Sequence, residues 1–200
     1  TGADLLLGTV TYETRDGATA PFNSAVIVRP AEGLAGRYDK IHLVPFGEYV
    51  PLKSFLFFLE PLVQEASDFH PGGSVSLLKG SGPSFGALIC YEAIFPAIVR
   101  RFTQAGAGVL VNITNDAWYS DTGMPRQHLM HAAMRAVENR RPLLRCANTG
   151  ISAIVEPSGR ILVRSSLNER TLLEADVRVA SATTLYVRVG DAFASLCVIL

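Results

Sequence analysis

The run Phe85-Gly86-Ala87-Leu88-Ile89-Cys90-Tyr91-Glu92-Ala93-Ile94-Phe95-Pro96 constrains this chain more than any other stretch. An apolar β-type run leads straight into a cysteine, and the residues beyond it have helical spacing. The pattern predicts a thiol at a strand-to-helix elbow, beside the backbone N–H groups that begin a helix. Partial positive charge there stabilises a thiolate and an oxyanion alike. An isolated cysteine is more often a small buried hydrophobe, so Cys90 counts as a nucleophile only if partners elsewhere support it.

Two hundred residues suffice for one domain with a true core, so a single domain is expected. A hydrophobic content of 48% and a mean hydropathy of +0.26 predict apolar surface facing something other than water. The 18 basic and 18 acidic residues cancel and form no block, which excludes the footprint of a nucleic-acid binder. Cysteines at 90, 146 and 197 are too dispersed for a disulfide framework, and no C-x-x-C pair suggests zinc or redox work. Cys146 and Cys197 read as structural. His128 and His131 stand three apart without a third ligand nearby, so they read as solvated or supporting side chains rather than as a metal site. No metal or other cofactor is expected.

The ends suggest a piece cut from something longer: Thr1 is not a natural start, no signal sequence is visible, and residues 192–200 are almost wholly apolar. Spanning a bilayer takes roughly 20 residues. The tail from about residue 190 reads either as the start of a transmembrane helix or as a buried terminal element. A second apolar segment, residues 52–63, packs Phe55, Phe57 and Phe58 among four leucines. It reads as a core helix or as an arm resting on lipid, and the motifs below favour the arm.

Period and punctuation predict strands at 4–11, 23–29, 37–43, 75–78, 85–89, 109–113, 143–147, 151–156, 161–164 and 171–177, with helices at 93–105 and 125–141. In the second helix, Met130, Ala133, Met134 and Val137 form the apolar stripe, Pro125 suits the first turn and Pro142 ends it. The whole reads as an α/β sandwich of mixed sheets.

Alternation over Tyr38-Asp39-Lys40-Ile41-His42-Leu43 puts Tyr38, Lys40 and His42 on one strand face. The Pro- and Gly-containing turn that follows, Val44-Pro45-Phe46-Gly47-Glu48, holds Glu48 near the end of that strand. Alone, such a pair reads as an ordinary surface ion pair.

Taken with Cys90-Tyr91-Glu92, Asn115-Asp116-Ala117-Trp118 and the block from Arg135 to Arg145, these residues resemble the nitrilase, or carbon–nitrogen hydrolase, superfamily, and within it the apolipoprotein N-acyltransferase family. The resemblance implies a nitrilase-like α-β-β-α sandwich that lacks its first strand, with a catalytic domain over 1–189 and a membrane helix beginning at 190–200. It implies Cys90 as nucleophile, Lys40 as the cation for the tetrahedral oxyanion, and Glu48 and Glu92 as carboxylates orienting the lysine. Tyr91 would help to position them, and Asn23 and Trp118 fall at pocket positions. The family's general-base glutamate belongs upstream of residue 1; Glu13, in a Thr-Tyr-Glu-Thr context, does not match it. A chain without that base is expected to be incomplete as a catalyst. The activity implied is transfer of an acyl chain from a phospholipid donor, through a cysteine thioester, to the N-terminal amine of a diacylglyceryl-cysteine apolipoprotein. The implied location is the bacterial inner membrane, on its periplasmic side. Two other readings share the residues: a soluble nitrilase-type amidase, and a degenerate domain that only binds. Hydrophobic spans upstream would separate the first from the acyltransferase, and an intact upstream glutamate would argue against the second.

Overall fold

A computed structural model of the chain describes residues 2–15, 18–51, 68–119 and 122–199. The aromatic-rich segment 52–63 lies outside the described residues. The first three strands, β1 (Leu5–Arg15), β2 (Ala18–Arg29) and β3 (Gly33–Asp39), form an antiparallel sheet in chain order. Leu5 pairs with Val28 at one end of the first hairpin and Arg15 with Ala18 at the other. The second sheet has the order β4 (Leu78–Lys79), β5 (Ser84–Ile89), β6 (Val109–Thr114), β7 (Leu143–Ala147), β8 (Ala153–Val155) and β9 (Ile161–Arg164). It is mixed: β5, β6 and β7 run parallel, and the flanking pairs are antiparallel.

Parallel strands need crossovers, and two helices provide them: α1 (Pro96–Gln104) joins β5 to β6, and α2 (Met124–Asn139) joins β6 to β7. Close approach identifies the layers. A Cβ on Gly86 of β5 would lie 2.9 Å from Phe102 Cβ of α1, and one on Gly8 of β1 would lie 3.0 Å from Ile113 Cγ2 of β6. Because successive side chains alternate, Leu110 and Asn112 of β6 face the helices while Val109, Val111 and Ile113 face the three-stranded sheet. The core fills both gaps with Ile27, Leu78, Leu88, Val99, Phe102, Leu110, Leu129 and Leu143. Each large apolar side chain buried this way contributes about 1.5–3 kcal/mol.

The expected strands at 85–89, 109–113, 143–147 and 161–164 are present to within a residue. Residues 171–177 do not form a strand: they are exposed and half-buried in alternation, but no neighbouring strand among the described residues pairs with them. Alternation is local, whereas a strand needs a partner. The third strand stops at Asp39, short of the predicted 43. On α2 the inward face is Leu129, Ala132, Ala133 and Ala136, and Met130, Met134 and Val137 are exposed. Counting methionine as core rotated the predicted stripe, because His128, Arg135 and Asn139 take buried positions that hydropathy assigns to solvent.

Two short helices end the chain, α3 (Leu185–Val189) and α4 (Ala192–Ile199). Phe193 and Val198 of α4 are 80% and 88% exposed, which removes the reading of the tail as a buried element. No helix among the described residues is long and apolar enough to cross a membrane. Cys146 and Cys197, read as structural, are free and exposed.

Candidate active site

Lys40 follows directly on β3, and its backbone N–H donates to Asn23 O at 2.8 Å, so its side chain is aimed by the sheet although it lies past the last paired residue. That side chain is fully buried, and Nζ donates to Glu48 Oε2 at 2.6 Å. The turn after Val44 is tight: Gly47 and Glu48 donate to Val44 O, and Phe46, with φ of 61°, donates to Tyr49 O. Glu48 receives Val44 N–H on Oε2 at 2.8 Å and Asn23 Nδ2 on Oε1 at 2.7 Å. A buried ion pair offsets its desolvation only when the remaining lone pairs are satisfied, and Glu48 has a donor on each oxygen.

Cys90 follows directly on β5 with φ of 52°, in the left-handed region that costs a side-chain-bearing residue roughly 1–3 kcal/mol. The helix expected over 93–105 is split. Cys90–Ile94 is a 3₁₀ turn, and the α-helix begins only at Pro96. Cys90 therefore heads one tight turn, and the α1 macrodipole lies beyond it.

Glu92, in that same turn, is wholly buried. Its Oε1 accepts from Tyr38 Oη at 2.8 Å, Ile41 N at 2.9 Å and His42 N at 3.2 Å, and its Oε2 accepts from Ile89 N at 2.9 Å. The carboxyl thus staples the Cys90 turn to the segment on either side of Lys40, through the Tyr38 hydroxyl and three backbone N–H groups. Burial pushes Glu92 above the usual carboxylate range against the pull of those donors. Burial, and then the adjoining Glu92 carboxylate, raises the Tyr38 hydroxyl.

Lys40, Glu48, Cys90 and Tyr91 line one cleft of about 490 Å³, with Trp118 and Tyr119 opposite and Val44, Pro45, Phe46 and Met124 adding apolar wall. Trp118 is 70% exposed at the rim. Tyr91 sets its ring edge-on to Phe95, centroids 5.3 Å apart, and Phe95 lies 3.9 Å from the His42 ring. Asn23 does not line the cleft and reaches it through Glu48. Glu13, on β1, is ion-paired with Arg37 at 3.1 Å. No group of three or more His, Cys, Asp or Glu among the described residues could hold a metal ion. A thiol, a buried cation and a carboxylate converging on one concavity are suited to nucleophilic attack on a carbonyl with the oxyanion held by the cation.

Beneath the cleft lies a polar cluster whose members the motif reading named only in part and to which it assigned no role in the site. Asp116, His128, Arg145 and Asn112 are all buried. Arg145 Nη2 donates to Asp116 Oδ2 at 2.6 Å, Nη1 donates to Asn112 Oδ1, and Nε donates to Ile151 O at 3.1 Å. Burial pushes the Asp116 carboxyl up, but the hydrogen bond from His128 and the charge of Arg145 outweigh it and hold the group below its ordinary value. The sequence did carry a signal: His128, Arg135 and Asn139 recur on the face of α2 that also carries Leu129, Ala132 and Ala136.

A thiol at a strand-to-turn elbow, facing a lysine clamped by a glutamate between two packed sheets, defines a class. The chain belongs to the carbon–nitrogen hydrolase family, which matches it over residues 4–186. Among relatives, it is 43% identical over 194 residues to the apolipoprotein N-acyltransferase of Geobacter metallireducens, covering 96% of this chain and 37% of that protein. It is 40% identical over 185 residues to the one from Bradyrhizobium diazoefficiens, covering 91% and 34%. The chain thus spans about a third of the length of the curated relatives it matches. The solved fold of NitN amidase from Neterenkonia sp. AN1 superimposes with a TM-score of 0.64 at 22% identity, over 98% of this chain and 69% of that one. Saccharomyces cerevisiae Nit3 gives 0.60 at 21%, over 82% and 56%. Both establish the nitrilase architecture.

Proposed function

We propose that this chain is the catalytic core of an apolipoprotein N-acyltransferase and that Cys90 carries the acyl group. The Cys90 thiolate attacks the ester carbonyl of a phospholipid, the C–O bond breaks, and lysophospholipid leaves with a proton. The resulting thioester is attacked by the α-amine of a diacylglyceryl-cysteine at an apolipoprotein N-terminus; the C–S bond breaks, the amide forms and the thiolate is restored. Lys40 stabilises both tetrahedral oxyanions, with Glu48 holding its ammonium in place. Glu92 and Tyr91 position the elbow, Asn23 braces Glu48, and Trp118 flanks the entrance. The proton acceptor in this reading is a glutamate of the complete protein lying before residue 1.

The observation that carries the proposal is the cleft in which Cys90 meets the buried Lys40 and its partner Glu48, in a chain so similar to proteins bearing that name. In this reading both substrates are lipids, and the reaction belongs at the bacterial inner membrane with the cleft on its periplasmic side. The exposed apolar α4 suits the first turns of a membrane helix. Residues 1–189 form the catalytic domain in this reading, and the helix begins within 190–200.

The test is to incubate the complete protein with phospholipid bearing a labelled acyl chain and to digest it. Mass spectrometry is expected to find the label on the peptide holding Cys90, and Cys90→Ala is expected to abolish both label and transfer while the circular dichroism spectrum stays unchanged. Transfer persisting in a folded Cys90→Ala protein would sink the covalent role. Release of free fatty acid or of small amides' ammonia, without transfer to the amine, would move the protein to the hydrolases of its family.

A further inference from the structure

The Cys90 carbonyl is held from below. His128 Nε2 donates to it at 3.2 Å and Asn112 Nδ2 at 3.3 Å, and Asn112 Nδ2 also bonds Leu88 O at 3.0 Å. The His128 ring is fixed in turn: Nδ1 lies 2.9 Å from Asp116 Oδ1 and 3.2 Å from Arg145 Nη2. Thr114 Oγ1 donates to the same Asp116 oxygen at 2.9 Å, and the Tyr119 ring stands edge-on to the imidazole with centroids 6.1 Å apart. Asn112 of β6 and His128 of α2 meet on one backbone oxygen, that of the residue whose φ of 52° is unfavourable for a side chain, and Arg145 of β7 supports both of them from behind without touching that oxygen.

We propose that His128 is a positioning residue for the nucleophile: by gripping the Cys90 carbonyl from its seat on Asp116 and Arg145, it holds the elbow in the left-handed conformation that presents the thiol to the cleft. The inference rests on the reading of Cys90 as nucleophile. A backbone rotation at Cys90 that released this carbonyl would swing the sulfur away from Lys40, and misplacement by an ångström is costly in a reaction that depends on alignment.

Two near-isosteric replacements separate this role from simple packing. The amide nitrogen of Gln reaches the place of imidazole Nε2, whereas that of Asn reaches only the place of Nδ1. His128→Gln therefore keeps a donor for the Cys90 carbonyl, and His128→Asn keeps only the contact with Asp116. In the complete protein, the rate of Cys90 alkylation by iodoacetamide is read by mass spectrometry, with the exposed Cys146 as internal reference. Steady-state acyl transfer is measured beside it. His128→Asn is expected to slow alkylation of Cys90 alone and to lower kcat by about 10- to 100-fold at little-changed KM. His128→Gln is expected to stay within about threefold of the parent, the size of a modest loss in one hydrogen bond. His128→Asn reacting at the parental rate overturns the proposal, as does a folded His128→Gln as slow as Asn. If only the Gln variant folds, its rate decides alone. If neither folds, His128 is a folding residue and the positioning role falls. A parental Cys90 no more reactive than Cys146 instead refutes the nucleophile itself, a failure visible before any variant is made.

Discussion

At the scale of single residues, the Lys40–Glu48 pair bears on stability and, in the proposed mechanism, on chemistry as well. Its members are aligned by Asn23 and by Val44 N–H, so removing one partner strands the other in a low-dielectric setting. Lys40→Met is expected to lower unfolding free energy by about 3–5 kcal/mol, read from urea denaturation, and to abolish transfer. Asp116 supplies a pH signature. Its folded-state carboxyl lies below the ordinary 3.8, so below that value the unfolded chain binds the extra proton. The stability it contributes is complete above the unfolded value and is lost as pH falls through the folded one. Asp116→Asn is expected to be less stable at neutral pH and to show a shallower loss below about pH 4 in urea titrations. Cys90, Lys40 and Glu48 were legible as residue types in motifs. That Glu92 works through backbone N–H groups around Lys40 was not, because a hydrogen bond to Ile41 or His42 leaves no mark on their side chains.

At the scale of elements, the Cys90 turn depends on how closely β5 lies against α1. Gly86 permits that approach, since a Cβ there would sit 2.9 Å from Phe102 Cβ and 3.2 Å from Ala107 Cβ. Gly86→Ala is expected to cost about 1–3 kcal/mol by overpacking, measured by chemical denaturation, and to slow Cys90 alkylation as the elbow shifts. Thr184 is the side-chain cap of α3, accepting from Val187 N at 3.0 Å and donating to Glu138 O at 2.6 Å. Thr184→Ala is expected to lower stability by about 1 kcal/mol, read as a shift in urea midpoint, with transfer unaffected. Buried strands such as β6 and β7 were readable because their apolar runs are short and sharply bounded. The split between the 3₁₀ turn and α1 falls at Phe95, whose extended backbone (φ −93°, ψ 99°) precedes Pro96, and helical periodicity read from Ala93 onward runs across it unmarked.

At the scale of the whole molecule, two sheets meet so that the end of β3, the end of β5 and the turn after β6 open on one cleft, while an apolar helix leaves at the far end of the chain. Replacing Phe193, Leu196 and Val198 by Ser in the 200-residue chain is expected to weaken its flotation with phospholipid vesicles and to leave the unfolding midpoint unchanged, because all three side chains are exposed. The sequence by itself determined the family, the place of most strands along the chain and the motif blocks that hold Cys90, Lys40 and Glu48, since these reside in local period and in contiguous residues. Only the tertiary structure decided that residues 171–177 lack a strand partner, which face of α2 turns inward, and that His128 and Asp116 lie beneath Cys90. Those facts depend on pairings between residues far apart in the chain, whose free energy arises only when the layers close.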